Sequence, residues 1–151
     1  MTKLEKIDQF LGLKNLAFVG VSRNDKKFGN MVFKSMKSKG YNLYPVHQSM
    51  DSYDGIPCLK SIDQTKGKVE GVVVVTNKNF AKTALKEALD ADIRNVWLQM
   101  GSDDESSREF IKEHNLNAVT GECMLMFTDK QKFPHNFHRW VKVNLTGFKS
   151  V

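Results

Sequence analysis

A chain of 151 residues, 40% of them apolar, has the size and the hydrophobic material to close the core of one compact domain, so residues 1–151 are expected to form a single unit. No stretch approaches the roughly 18 consecutive apolar residues of a membrane span, and the opening MTKLEKIDQF has acids and amides where a signal peptide is apolar, which predicts a cytoplasmic protein without membrane contact. The net charge of +6 suits an anionic ligand, and Cys58 and Cys123 lack the paired spacing of a disulfide framework or zinc site, so both are expected as reduced thiols.

Leu4, Ile7 and Leu11 recur at helical spacing and predict a short amphipathic helix over residues 1–12, ended by Gly12. Asn15 to Val21 (NLAFVGV) is a nearly continuous apolar run, the pattern of a parallel strand covered on both faces. From Gly29 to Lys39, Val32, Phe33 and Met36 share one helical face, and Gly40 stops the helix. Tyr41 to Val46 is β-prone, and a short extended piece at Ile56 to Leu59 follows the turn signal Asp54-Gly55. Gly71 to Val75 (GVVVV) is the strongest strand signal, backed by a helix with Phe80, Ala84, Ala88 and Ala91 inward. Asn95 to Leu98 predicts a strand, Ser106 to His114 a helix with Phe110 and Ile111 inward, and Asn117 to Thr120 a last strand. In the tail, Phe133, Phe137, Trp140, Val141 and Leu145 form a stripe that predicts a helix over residues 133–148, packed on the domain or serving a homodimer or a docking partner.

Alternating strands and helices define the α/β class: a three-layer, Rossmann-like, doubly wound and mostly parallel sheet of five or six strands. Ligands of such sheets sit beyond the carboxyl ends of the strands, where loops diverge and helix N-termini offer free N–H groups. After the first strand, Gly20 opens a turn in which Ser22 supplies a hydroxyl and Arg23, Lys26 and Lys27 supply charge. Phe28 leads into Gly29 and Asn30, whose backbone donors are available to a phosphate. No G-x-G-x-x-G spacing fits this turn, and G-x-x-x-x-G-K-[ST] is absent from the chain, which argues against a P-loop NTPase. The second strand ends Pro45-Val46-His47-Gln48 without the acid that accepts from an NAD ribose, so the turn fits a ribose bearing an extra phosphate, as in NADP or coenzyme A.

Four segments together resemble a known family: Phe18-Val19-Gly20-Val21-Ser22; Gly40 to His47 (GYNLYPVH); Asn95 to Gly101 (NVWLQMG); and Val119-Thr120-Gly121-Glu122-Cys123. Each falls at a predicted strand end, and together they resemble the CoA-binding family of small single-domain proteins, itself similar to the CoA-binding domain of the succinyl-CoA synthetase alpha subunit. The resemblance implies that coenzyme A or an acyl-CoA is the small-molecule ligand. It implies that Gly20, Ser22 and the basic loop hold its phosphates, that Pro45, Val46 and His47 line the nucleotide, and that Thr76 and Asn77 close the crevice. Gln99 and Met100 would face the pantetheine arm, with Cys123 near the same rim. The chain departs from the family pattern at His47, where asparagine is usual, and at Arg23-Asn24, where proline follows the glycine-serine element.

No nucleophile, base and orienting partner fall into a recognisable set, so the expected role is a non-catalytic binding module with no catalytic residue. The competing enzyme readings are an NADP-dependent reductase and disulfide exchange between Cys123 and the CoA thiol. A nucleic-acid binder ranks last, because aromatic residues and lysines do not interleave on one element. His135 and His138 stand at i, i+3, but no carboxylate or cysteine pattern completes a metal site, and His47 and His114 read as polar surface residues.

Overall fold

The computed structural model of the chain describes residues 1–128. Helix α1 (Lys3–Leu11) opens on a reciprocal cap: the Thr2 hydroxyl accepts from the Glu5 amide at 3.2 Å, and the Glu5 carboxylate accepts from the Thr2 amide at 2.9 Å. Strand β1 (Asn15–Val19) leads to α2 (Phe28–Ser38) and then to β2 (Asn42–Val46). A hairpin of β3 (Ser52–Tyr53) and β4 (Ile56–Pro57) turns on Asp54 and Gly55, both at positive φ as a two-residue hairpin loop requires. A 3₁₀ turn (Ile62–Thr65), β5 (Gly71–Val74), a second 3₁₀ turn (Lys78–Phe80) and α3 (Ala81–Asp90) follow. The described chain closes with β6 (Asn95–Gln99), α4 (Glu105–Glu113), β7 (Asn117–Glu122) and the single turn α5 (Leu125–Thr128).

The main sheet has five parallel strands in the order β2-β1-β5-β6-β7, the Rossmann-like α/β architecture expected from the alternation. The extended piece at Ile56 joins the small hairpin instead of the sheet, and only a bridge between Val46 and Leu59 ties it to β2. Strands β1, β2, β6 and β7 each begin with asparagine. The Asn42 amide donates to Asn15 Oδ1 at 2.8 Å, and the Asn117 amide donates to Asn95 Oδ1 at 2.9 Å. These side-chain links tie neighbouring strands at the amino edge of the sheet, where the Asn15 and Asn95 amides also bond Glu70.

Side chains alternate between two apolar layers, as the period of a strand dictates. Leu16, Phe18, Val73, Trp97 and Val119 pack with Ile7 and Phe10 of α1 and with Val32, Phe33 and Met36 of α2. Ala17, Val72, Val74, Val96 and Leu98 pack on the other face with Ala84, Leu85 and Ala88 of α3 and Phe110 of α4. The helix after β1 therefore covers one face and the helix after β5 covers the other, although the two strands are neighbours. Their loops part in opposite directions, which opens a crevice at the carboxyl ends of β1 and β5.

Two side chains expected inward lie outside. Leu4 is 65% exposed, because Ile7 and Phe10 carry the buried face of α1. Phe80 is 63% exposed, because α3 proper begins at Ala81 and Phe80 ends the preceding 3₁₀ turn, where no layer covers it. Ile111 is half-buried against the core that Phe110 enters fully. The stripe from Phe133 to Leu145, with His135 and His138, lies outside the described residues. Among the described residues no helix is long and apolar enough to cross a membrane.

Candidate functional site

The junction of β1, β5 and α2 is built by two glycines. Gly20 leaves the strand at φ +142°, and a Cβ there would overlap the Val75 carbonyl oxygen and come within 2.9 Å of Val75 Cβ. A Cβ at Gly29 would overlap the Gly20 carbonyl oxygen and approach its carbon to 2.9 Å. Only paired glycines let the first turn of α2 sit directly against the end of β1. Lys27, the N-cap residue, makes no side-chain cap, so the amino end of α2 presents a positive dipole end beside the end of β1, although the Asn30 amide, expected as a free donor, donates to the Lys27 carbonyl at 3.1 Å.

Asn30 holds the loop between these glycines. It is 1% exposed, donates from Nδ2 to the carbonyls of Ser22 (2.8 Å) and Asn24 (3.1 Å), and accepts at Oδ1 from the Ser22 amide at 2.9 Å. The Ser22 hydroxyl accepts from the Asn24 amide at 3.1 Å, which tightens the same turn. Arg23 crosses to the next loop, donating to Ser49 Oγ at 3.2 Å and to the Ser49 carbonyl at 3.0 Å. Asn30 and Ser22 thus shape the loop with their side chains, while Arg23, Lys26 and Lys27 are exposed along it and Phe28 is half-buried against the core.

Beyond β2, His47 turns its ring onto its own loop, and Nδ1 accepts from the amides of Ser49 (3.1 Å) and Met50 (3.0 Å). An asparagine oxygen can make the same kind of bond to the amide two residues on, so His47 holds this turn as an asparagine could. Burial, reinforced by the charges of Arg23 and Lys60, holds this imidazole below its usual pKa. A neutral ring with Nδ1 engaged carries its proton on Nε2, available as a donor.

These loops border a cleft of about 460 Å³ between the ends of β1, β2 and β5 and the face of α3. That volume is in the usual range for a small-molecule site. Of the residues expected from sequence, Gly20, Val46, His47 and Thr76 line it and Arg23 reaches it through Ser49, whereas Ser22, Lys27, Phe28, Gly29 and Asn30 belong to the adjoining loop and helix end and do not line it. Pro45 lies buried within β2, and Asn77 caps its own 3₁₀ turn by accepting from the Asn79 amide at 3.0 Å. Gln99, Met100 and Cys123 are not brought to it. Gln99 and Cys123 are wholly buried and Met100 is 8% exposed, and Met100 and Cys123 pack in the layer of α1 and α2, whereas α3 borders the cleft.

At that second place Gln99 Oε1 accepts from the Met124 amide at 3.0 Å, while its Nε2 has no hydrogen-bond partner. Burial raises the pKa of Cys123, an effect that the nearby Gln99 side chain and the amides of Leu125 and Met126 oppose. Burial likewise raises the pKa of Cys58. The cleft is also lined by residues that the sequence did not mark as site candidates, among them Lys60, Ser61, Phe80 and Glu87. Lys60 follows the small hairpin and reaches the cleft only through tertiary contacts, donating to the Met50 carbonyl at 3.1 Å. Phe80 and Glu87 had a local signal in the spacing i, i+3, i+7 of Phe80, Thr83 and Glu87, which puts three non-aliphatic positions on one helix face.

The class that this sheet order defines is the doubly wound, Rossmann-like α/β protein, here with a cleft at the switch point between β1 and β5. Within that class the chain belongs to the CoA binding domain family, which it matches over residues 14–129. It is similar to the alpha subunit of an ADP-forming acetate–CoA ligase (form II) of Pyrococcus furiosus, 29% identical over 108 residues, covering 71% of this chain and 24% of that subunit. It is also similar to the uncharacterized protein YneT of Bacillus subtilis, 26% identical over 111 residues, 74% of this chain and 82% of that one. In three dimensions it resembles a conserved hypothetical protein from Pyrococcus furiosus with a TM-score of 0.73 and 30% identity, over 76% of this chain and 99% of the other. The chain thus spans about a quarter of the ligase subunit it matches.

Proposed function

We propose that this chain binds coenzyme A or an acyl-CoA, with the nucleotide in the cleft between β1, β2, β5 and α3, and acts as a binding module without a reaction of its own. The observation that carries the reading is the glycine-built junction at Gly20 and Gly29, which sets the amino end of α2, free of a side-chain cap, against the end of β1, where Gly20 and Val21 line a cleft of about 460 Å³. Amide hydrogens and a helix dipole at that point suit a pyrophosphate, and Arg23 and Lys60 add cations from two other loops. Membership of the CoA binding domain family supports the same ligand.

With the nucleotide in this cleft, the pantetheine arm would extend out of it with its thiol toward solvent. That arrangement suits a carrier. Among the lining residues the one imidazole, His47, uses Nδ1 to hold its own loop, and no cysteine lines the cleft.

Isothermal titration of ligand-free protein with CoA tests this function. Saturable binding near one per chain, weakening as salt rises, is expected. Heat absent at millimolar CoA and low salt refutes it, and tighter binding of NADP than of CoA redirects it to a dinucleotide. Release of free CoA from acetyl-CoA by the protein alone would overturn the non-catalytic part.

A further inference from the structure

The two walls of the cleft differ in chemistry. On the β2 side stand His47, Ser49 and Lys60, with Arg23 fixed to Ser49, so that wall offers N–H donors and positive charge. On the opposite side stand Phe80, the residue that caps α3, and Thr83, Ala84 and Glu87, which follow it at i+3, i+4 and i+7 on one face of that helix. Phe80 leaves 63% of its surface exposed, whereas most other large apolar side chains among the described residues are buried. Glu87 is the one carboxylate among the residues lining the cleft.

From this asymmetry we infer that the α3 wall recognises the base of the ligand: Phe80 covers the face of an adenine ring and Glu87 accepts a hydrogen bond from its exocyclic amine. The inference rests on the CoA reading and fixes the orientation of the nucleotide within it.

A carboxylate repels phosphate and accepts hydrogen bonds without donating any, so Glu87 excludes phosphate from its own wall and calls for an N–H group. On an adenine nucleotide the exocyclic amine is the strong donor of the base. An exposed aromatic ring at the mouth of a cleft gains most from a flat apolar partner, which the base supplies.

The spacing agrees with one ring bridging both residues. Seven residues of helix separate them by about 10 Å along the axis. Helical side chains point back toward the amino end, so the Glu87 carboxylate lies over the turn that holds Thr83 and Ala84, closer to Phe80 by most of its own length. With the base on α3, the phosphates face the opposite wall and the end of α2, where the cations stand.

The experiment compares CoA with 1,N6-etheno-CoA, whose fused ring removes every N–H from that edge of the base. Titrations use the wild-type chain and the Phe80→Ala, Phe80→Leu, Glu87→Gln and Glu87→Ala variants, each checked by thermal melting. The wild type should favour CoA by about tenfold or more, the size of one hydrogen bond to a charged group. In Glu87→Ala that preference should fall to within about twofold, whatever the loss of negative charge does to affinity overall. Phe80→Ala should weaken CoA and etheno-CoA alike, by about fivefold or more, with Phe80→Leu between it and the wild type. If the wild type binds CoA but the Glu87 variants keep the same preference and Phe80→Ala binds as well as the wild type, the orientation is overturned and the CoA reading survives. If the wild type does not bind CoA at all, the underlying reading falls first.

Discussion

Replacing Asn30 tests whether the loop after β1 is held by its neighbour on the helix. Asn30→Ala removes three hydrogen bonds, to the Ser22 amide, the Ser22 carbonyl and the Asn24 carbonyl, at 2.9, 2.8 and 3.1 Å. At about 0.5–1.5 kcal/mol net each, and with water able to reach the half-buried loop, the loss is roughly 2–4 kcal/mol. For a chain of this length about 2–4 °C of melting temperature accompanies each kcal/mol, so the variant should melt roughly 4–16 °C lower. Asn30→Asp should do no better near neutral pH. Its carboxylate still accepts from the Ser22 amide, but it sets negative charge against the two carbonyl oxygens that now receive N–H groups. Protonating that acid restores one donor, so the deficit of Asn30→Asp relative to wild type should shrink toward pH 4, whereas that of Asn30→Ala should stay nearly constant. Circular-dichroism melting of the three proteins across this pH range decides the matter. An Asn30→Ala protein that melts within about 1 °C of wild type would refute the account of the loop.

Three further outcomes follow from the same site. Gly29→Ala places a methyl group on the Gly20 carbonyl and must push α2 back from β1. A cost of about 1–3 kcal/mol in chemical denaturation is expected, together with a fall in CoA affinity, and a variant equal to wild type in both would show that α2 does not sit so close. For His47, whose folded-state pKa lies below its value in the unfolded chain, the contribution to stability is complete above about pH 6.5 and is lost as pH falls through the folded-state value. His47→Asn should keep the turn at neutral pH and remove that loss, so unchanged acid sensitivity of the urea midpoint in the variant would contradict the role given to Nδ1. Cys58 and Cys123, both buried with raised pKa values, should react with a thiol reagent at least about a hundredfold more slowly in the native protein than in denaturant; rapid native labelling of Cys123 would reopen disulfide exchange with CoA.

Much of the fold is a local property of this chain, and the reason is periodicity. The runs NLAFV, GVVV and NVWLQ are apolar at successive positions, which only a strand covered on both faces accommodates, and the intervening helices carry their apolar residues at the 3.6-residue period. Turn residues were equally readable: Gly20 ends β1 because its φ of +142° leaves the strand, two residues before the apolar run itself ends. The positions of Gly20, Val46, His47 and Thr76 at strand ends follow from the same reading, and they meet in the cleft because parallel strands place their carboxyl ends together.

What sequence order does not carry is the face. A nearly continuous apolar strand has no alternation to say which side chains meet which helix, so it could not correct the resemblance, which implies Gln99, Met100 and Cys123 at the crevice although none of the three lines the cleft. The loop after β2 shows the same limit. Lys60 stands 13 positions beyond His47, and only the small hairpin folds it back to the cleft. Local pattern therefore determined the elements and their order, while the choice of sheet face and the company each side chain keeps were decided by packing, since burial is a property of the assembled layers and not of any one segment.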